Sequence, residues 1–320
     1  MSQTSLARRL GLGRLAYFAY HLPAAKVGDS IRAGGPLVQW KTARGRRAME
    51  RAASGLPPPG TFPPGPPLTV HVLTGRRFWY QAVFCLWTLS RSARAEVAPV
   101  VVDDGSLTPT NFAALARLFP AARWVRPEEI RQRLDEALPA ARFPTLRERR
   151  LAFPLLRKLT DVHAGLRGPR LLLDSDMLFF RRPGLLLDWL AAPDRPLRAT
   201  DLTNAYGYPL ELLGELAGRP VPEKVNTGIT GFWSEELDWD RMEFWCRTLI
   251  ERAGTHYFQE QALVALQLAG RDCLVAPITD YVTGPEPPEA LECRAILHHY
   301  VAETKRWYFQ HNWRRVLADA

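Results

Sequence analysis

Beyond residue 67 the chain alternates short apolar runs with longer segments whose apolar positions recur at helical spacing. Residues 68–73 (LTVHVL) are a β-branched run that predicts a strand. Residues 78–89 show helical spacing. Residues 97–102 (VAPVVV) are almost continuously apolar, the pattern of a parallel strand buried on both faces. Helical spacing returns over 111–119, 128–138 and 146–162, with a short strand at 124–125. Residues 171–173 read as a strand, two helices follow over 239–252 and 257–268, and a last strand lies near Leu274. Strands alternating with helices predict an α/β fold with a mostly parallel sheet. Ligands of such sheets bind at the carboxyl ends of the strands.

Composition divides the chain. Residues 57–67 (PPPGTFPPGPP) hold seven prolines, which exclude helix and sheet interior and favour a stiff extended linker. The domain organisation is therefore an N-terminal extension over 1–56, a linker over 57–67 and a domain over 68–320. Residues 1–67 carry ten basic residues and two acidic ones, so +8 of the total charge of +9 sits there. With Tyr17, Phe18, Tyr20 and Trp40 interspersed, this segment suits peripheral contact with an anionic membrane surface, or a helical flap packed on the domain. No helix-turn-helix, zinc-finger or RNA-recognition signature accompanies the charge, so no specific nucleic-acid partner is expected. No apolar run reaches the ~18 residues of a membrane-spanning helix, and residues 15–22 lack a good cleavage site. The four cysteines form no CxxC pair. A cytoplasmic location, reaching to the inner membrane face, follows from these features.

The chemistry concentrates at predicted strand ends. In RLLLDSDMLFF (170–180) a buried apolar run stops at Asp174-Ser175-Asp176. Carboxylates at i and i+2 of an extended chain point the same way and can share a hard divalent cation. A second acidic strand end, VVDDGS (101–106), offers Asp103 and Asp104 to a base N–H or ribose hydroxyl. Thr74 and Gly75 close the first strand and would face the same pocket, Gly75 allowing close backbone approach. Arg157-Lys158 precedes the DxD strand on a predicted helix. KVNTGITGF (224–232) and FQEQAL (258–263) add Asn226, Gly228, Glu260 and Gln261.

In this order the motifs resemble the metal-dependent glycosyltransferases of the GT-A fold, and most of all glycosyltransferase family 8. The resemblance covers roughly residues 68–307 and implies a GT-A, Rossmann-like α/β domain carrying a basic N-terminal extension. It implies a nucleotide-diphosphate-sugar donor, UDP-sugar above all, a glycan, lipid or protein acceptor, and retention of anomeric configuration. An inverting enzyme would instead need a carboxylate base, for which Glu260 and Asp280 are the candidates. Carried over, Asp174 and Asp176 become ligands of Mn²⁺ or Mg²⁺, with Ser175 beside the donor diphosphate and Lys158 near its phosphates. Asn226, Gly228 and Gln261 lie by the donor and acceptor sugars. ILHHYVAETKRW (296–307) resembles the family's C-terminal His-x-x-Gly-x-x-Lys-Pro-Trp motif. It makes His299 the third metal ligand, Lys305 the cation on the leaving group, and Trp307 part of the donor wall. Ala302 and Arg306 depart from that motif. The rival readings are a haloacid-dehalogenase-like phosphatase, which Met177 after the second Asp disfavours, and an inactive glycan-binding or nucleic-acid-binding protein.

Overall fold

The computed structural model describes residues 34–318. Strands β1 (Leu68–Thr74), β2 (Val97–Asp103), β3 (Arg123–Val125), β4 (Pro169–Leu173), β6 (Leu197–Thr200), β7 (Val225–Trp233) and β8 (Leu274–Val275) form one sheet in the order β3-β2-β1-β4-β7-β6-β8. Only β7 runs against the rest. Side chains of the central strands alternate between two cores, as the pleat requires. Val70, Val72, Val101, Leu171 and Leu173 pack on one face with helices Trp79–Ala93 and Pro109–Leu118. Val100, Val102 and Leu172 pack on the other with helices Pro127–Ala137, Trp239–Ala253 and Gln259–Leu268.

A smaller sheet of β5 (Met177–Phe179), β9 (Tyr281–Thr283) and β10 (Leu297–His299) stands beyond the end of β4, in the order β5-β10-β9. It explains how the C-terminal motif meets the DxD motif. Asp174-Ser175-Asp176 is the bend between β4 and β5, and β10 pairs antiparallel with β5, setting His299 opposite Met177. The Tyr300 N–H donates to the carbonyl of Asp176 at 2.9 Å. On the far side of β10, His298 Nε2 lies 2.8 Å from Glu289 and its Nδ1 3.1 Å from the Tyr300 hydroxyl, which pins the strand.

Two expectations change. The helix read over 146–162 is broken into Pro144–Ala152, a 3₁₀ turn at Pro154–Leu156 and Arg157–His163. Pro154 supplies no N–H and drives Phe153 into an extended conformation, φ −138°. The strand near Leu274 is only two residues long. In the extension, helix Gly35–Ser54 packs on the domain, burying Met49 and Ala53. The linker follows the surface of helix Trp79–Ala93, where Trp87 Nε1 donates to the Pro57 carbonyl at 2.9 Å. Tyr17, Phe18 and Tyr20 lie outside the described residues. Among the described residues no helix is long and apolar enough to cross a membrane.

Candidate active site

The carboxyl ends of β1, β2, β4 and β6 meet the amino end of the reversed strand β7 along one edge of the sheet. Asp174 follows β4 there, its N–H donating to the carbonyl of Gly228 at 2.8 Å. Asp174, Asp176 and His299 converge, with one ligand atom of each lying within 4.8 Å of the others. His299 Nε2 is 3.3 Å from Asp176 Oδ1 and 3.7 Å from Asp174 Oδ2. The ring packs against β7, where a Cβ on Gly228 would lie 2.4 Å from its Cε1. Two carboxylates and an imidazole are a mixed oxygen–nitrogen donor set of the kind that binds divalent cations. With Nε2 aimed between the two carboxylates, these residues fit a divalent cation.

Each carboxylate also has its own lysine. Lys158 Nζ spans Asp174, 2.7 Å from Oδ1 and 2.8 Å from Oδ2, and is almost wholly buried. Lys305 Nζ is 2.9 Å from Asp176 Oδ2 with about a third of its side chain exposed. Burial would raise the Asp176 pKa, but Lys305 and His299 overcome it and hold the carboxyl well below the usual carboxylate range. Burial would lower Lys158; Asp174 and Glu260 outweigh it and keep the ammonium charged. Lys158 is therefore locked in place, whereas Lys305 has room to meet an incoming anion.

Beside this cluster stands a polar wall. Asn226 donates to Asp201 Oδ2 at 2.9 Å and its own Oδ1 accepts the Gly228 N–H at 2.9 Å. Gln261 donates to the same Asp201 oxygen at 3.2 Å and to the Ala205 carbonyl at 2.9 Å. Asp201, absent from the motif reading, thus ties two predicted residues together. It was visible in principle as a third strand-end aspartate, in RATDL (198–202), but β6 is too short to show a period. Asp103 is buried and commits Oδ1 to the N–H groups of Gly105 and Leu107. Asp104 is exposed, accepts from Ser106, and fills the space where a Cβ on Gly75 would stand, 2.0 Å from Oδ2. Thr74 is buried with no hydrogen-bond partner for its hydroxyl among the described residues. Arg157 donates to the Asp104 carbonyl at 2.9 Å. Ser175 is half-buried. Trp307, two residues past Lys305, donates its indole N–H to Glu286 at 3.3 Å.

No protein-family model matches the sequence, and no curated protein matches it. Solved structures do. The backbone is similar to mouse xyloside xylosyltransferase 1 in its apo form, with a TM-score of 0.50 at 13% identity over 74% of this chain and 99% of that one. It is similar to the galactosyltransferase LgtC, solved with donor and acceptor sugar analogues, with a TM-score of 0.50 at 12% identity over 78% of this chain and 95% of that one. The chain has the GT-A glycosyltransferase fold. The Asp174–Asp176–His299 cluster stands at the strand-end edge of this GT-A sheet, where open α/β sheets take their ligands.

Glu260, on helix Gln259–Leu268, is a buried acid beside the cluster. Thr227 donates to its Oε2 at 2.9 Å. Burial lifts it to about 7, against the opposing pull of Lys158. A carboxyl bound to its proton more tightly when folded stabilises less as pH rises from its ordinary 4.5 to about 7, and the loss is complete above that. Such a shift corresponds to about 3 kcal/mol. Glu260→Gln should therefore match the parent near pH 4 and be the more stable protein at pH 8. Urea melts at the two pH values check this; identical differences at both would remove the buried neutral acid.

Proposed function

We propose that this chain transfers a sugar from a nucleoside-diphosphate donor, a UDP-sugar, to a hydroxyl of a glycan, lipid or protein acceptor. The reading adds a divalent-cation requirement and retention of anomeric configuration. One observation carries it: two strand-end carboxylates and an imidazole converge on one point, flanked by two lysines, on a GT-A sheet. That LgtC was solved with donor and acceptor sugar analogues supports it by analogy of fold.

When bound by Asp174, Asp176 and His299, the cation would neutralise the donor diphosphate. The chain's own residues do the rest. The bond from the anomeric carbon to the β-phosphate oxygen breaks, a bond to the acceptor oxygen forms, and the acceptor hydroxyl's proton passes to the departing diphosphate. UDP leaves as an anion, and Lys305 turns from Asp176 to stabilise it. Lys158 holds Asp174 in place. Asn226 and Gln261, aligned by Asp201, donate and accept toward sugar hydroxyls and fix the reacting carbon. Thr74, Gly75, Asp103 and Asp104 take the nucleoside, with Trp307 on the far wall. A thermal-shift screen of UDP-, GDP- and dTDP-sugars, with and without Mn²⁺, tests the reading. At a hundredfold excess over Kd, UDP-sugar with Mn²⁺ should raise Tm by about 5 °C or more. No shift with any nucleotide sugar and metal rejects it.

The outward face of helix Gly35–Ser54 fits peripheral contact with an anionic membrane. Leu37 and Trp40 are exposed there, along with Lys41, Arg44, Arg47 and Arg51. Sedimentation with phosphatidylserine vesicles decides, since binding no stronger than to neutral vesicles removes this contact.

A further inference from the structure

Lys305 stands at the start of an irregular helical stretch. It lies in the first turn, Lys305–Trp307, of a helical stretch that runs on through a π-turn to Ala318, and the end turn of a helix is where local opening is easiest. The turn before it begins at Ala302, whose φ of 45° is left-handed. For an alanine this conformation is unfavourable and persists only where the surroundings enforce it. The turn after it is π-helical, Tyr308–Asn312, another conformation that needs outside support.

That support comes from the N-terminal extension. Gly45 of helix Gly35–Ser54 is buried directly against the π-turn, where a Cβ would come within 2.0 Å of the Phe309 carbonyl oxygen. Two backbones meet there with no side chain between them. Gln310 reaches back from the π-turn, donating to Thr42 Oγ1 at 2.7 Å and to the Val38 carbonyl at 3.2 Å. The segment Lys305–Trp307 also touches the same helix. On the inner side, Tyr308 stacks on Tyr300 with ring centres 4.6 Å apart, and Tyr300 adjoins His299 on β10. The turn carrying Lys305 is thus held between the strand of the third cluster residue and a helix from the other end of the chain.

We infer that helix Gly35–Ser54 is a positioning element of the active site, clamping the π-turn so that the Lys305 ammonium is aimed at the leaving diphosphate. The inference rests on the glycosyltransferase reading for its consequence, but the clamp itself does not. A ~1 Å misplacement of such a group can cost on the order of 10²-fold in rate. The same helix then has two faces with two tasks, the inner one for Lys305 and the outer, cationic one for an anionic surface.

The test uses full-length protein. Gly45→Ala inserts a methyl against the Phe309 carbonyl, and Gln310→Ala, a gentler change, removes both side-chain bonds to the helix. Hydrogen exchange needs no donor and reads the clamp directly. Amides of residues 302–312 should exchange at least about tenfold faster in either variant, with β1 and β4 unchanged, on the scale of local opening. Unchanged protection over 302–312 overturns the clamp, whatever the protein's activity. With UDP-sugar and Mn²⁺, either variant should lower kcat about tenfold and leave the donor KM within about twofold, as for a contact made chiefly in the transition state. In a Lys305→Ala background the same substitution should cause no further loss. Equal losses in both backgrounds, or a fall in Tm with kcat intact, leave the helix a merely structural element and overturn the inference. If exchange changes as expected but the parent neither binds nor turns over any nucleotide sugar, the failure belongs to the proposed function and the clamp stands.

Discussion

Asp176→Asn should abolish metal-dependent UDP binding and lower transfer by at least about 10³-fold, roughly 4 kcal/mol of transition-state stabilisation, while the fold survives. The exchange is nearly isosteric, so packing between β4 and β5 is kept. What changes is charge. Asp176 faces His299 Nε2 at 3.3 Å and Lys305 Nζ at 2.9 Å, and both were arranged around an anion. An amide offers a weak neutral oxygen to a hard cation that prefers carboxylate, and it leaves Lys305 with no charged partner at rest. Lys305 is about one-third exposed, so water takes over part of that role and offsets part of the stability that the depressed Asp176 carboxyl supplies. Asp174→Asn removes the same metal ligand type but should also cost about 3 kcal/mol of stability, because it strips a buried lysine of its bonded partner. Lys158 is 7% exposed, and the nearby Glu260 can ionise to return part of the loss. The two carboxylates thus play different parts: both variants lose Mn²⁺–UDP binding by calorimetry, and both lose Tm, since Asp174→Asn strands a buried lysine while Asp176→Asn gives up a strongly stabilised carboxylate. Metal-dependent transfer within a few-fold of the parent in Asp176→Asn would sink the cation site.

The central strands were legible because burial on both faces writes itself as an apolar run; β1, β2 and β4 lie where VHVL, VVV and LLL stand. The DxD motif and the His-x₅-Lys spacing were legible because their chemistry is local. The small sheet was not. Strands of three residues carry no period, and β5, β9 and β10 exist only because 177–179 finds 297–299 across the chain. Asn226-Thr227-Gly228 reads locally as turn chemistry, yet it opens a nine-residue strand. Its glycines are there for contact: Gly228 receives His299, and Gly231 receives the Trp189 ring, 2.6 Å from where its Cβ would be. The extension read as charge with interspersed aromatics, which left membrane contact and a helical flap on the domain both open. Its buried positions Gly45, Met49 and Ala53 recur every four residues, a helical stripe masked by the arginines around it. Asp201 escaped because its importance lies in two partners 25 and 60 residues away.

Gly228→Ala should cost about 10²-fold in transfer and more than tenfold in metal affinity, although it alters no polar side chain. Gly228 has no left-handed backbone that would demand glycine, so alanine can adopt its strand conformation. Space is what it lacks. The new methyl would lie 2.4 Å from His299 Cε1, 2.6 Å from His299 Nδ1 and 2.8 Å from Asn226 Oδ1. All three are closer than carbon contacts allow, so both side chains must move. His299 is 4% exposed and its Nδ1 has no hydrogen-bond partner among the described residues, so beside the Nε2 contact with Asp176 it is packing against β7 that holds the ring. Pushed off β7, Nε2 no longer lies between Asp174 and Asp176. Asn226 is displaced with it, loosening its bonds to the Gly228 N–H and to Asp201. Overpacking of this kind costs about 1–3 kcal/mol of stability, small beside the loss of a third ligand and a sugar-facing amide together. His299→Ala serves as the companion, removing the ring without crowding Asn226. In that background Gly228→Ala should change metal affinity no further, while its effect on transfer through Asn226 persists. If Gly228→Ala alone leaves the Mn²⁺ concentration for half-maximal activity where it was, the imidazole is not a ligand, and the two carboxylates hold the cation without it.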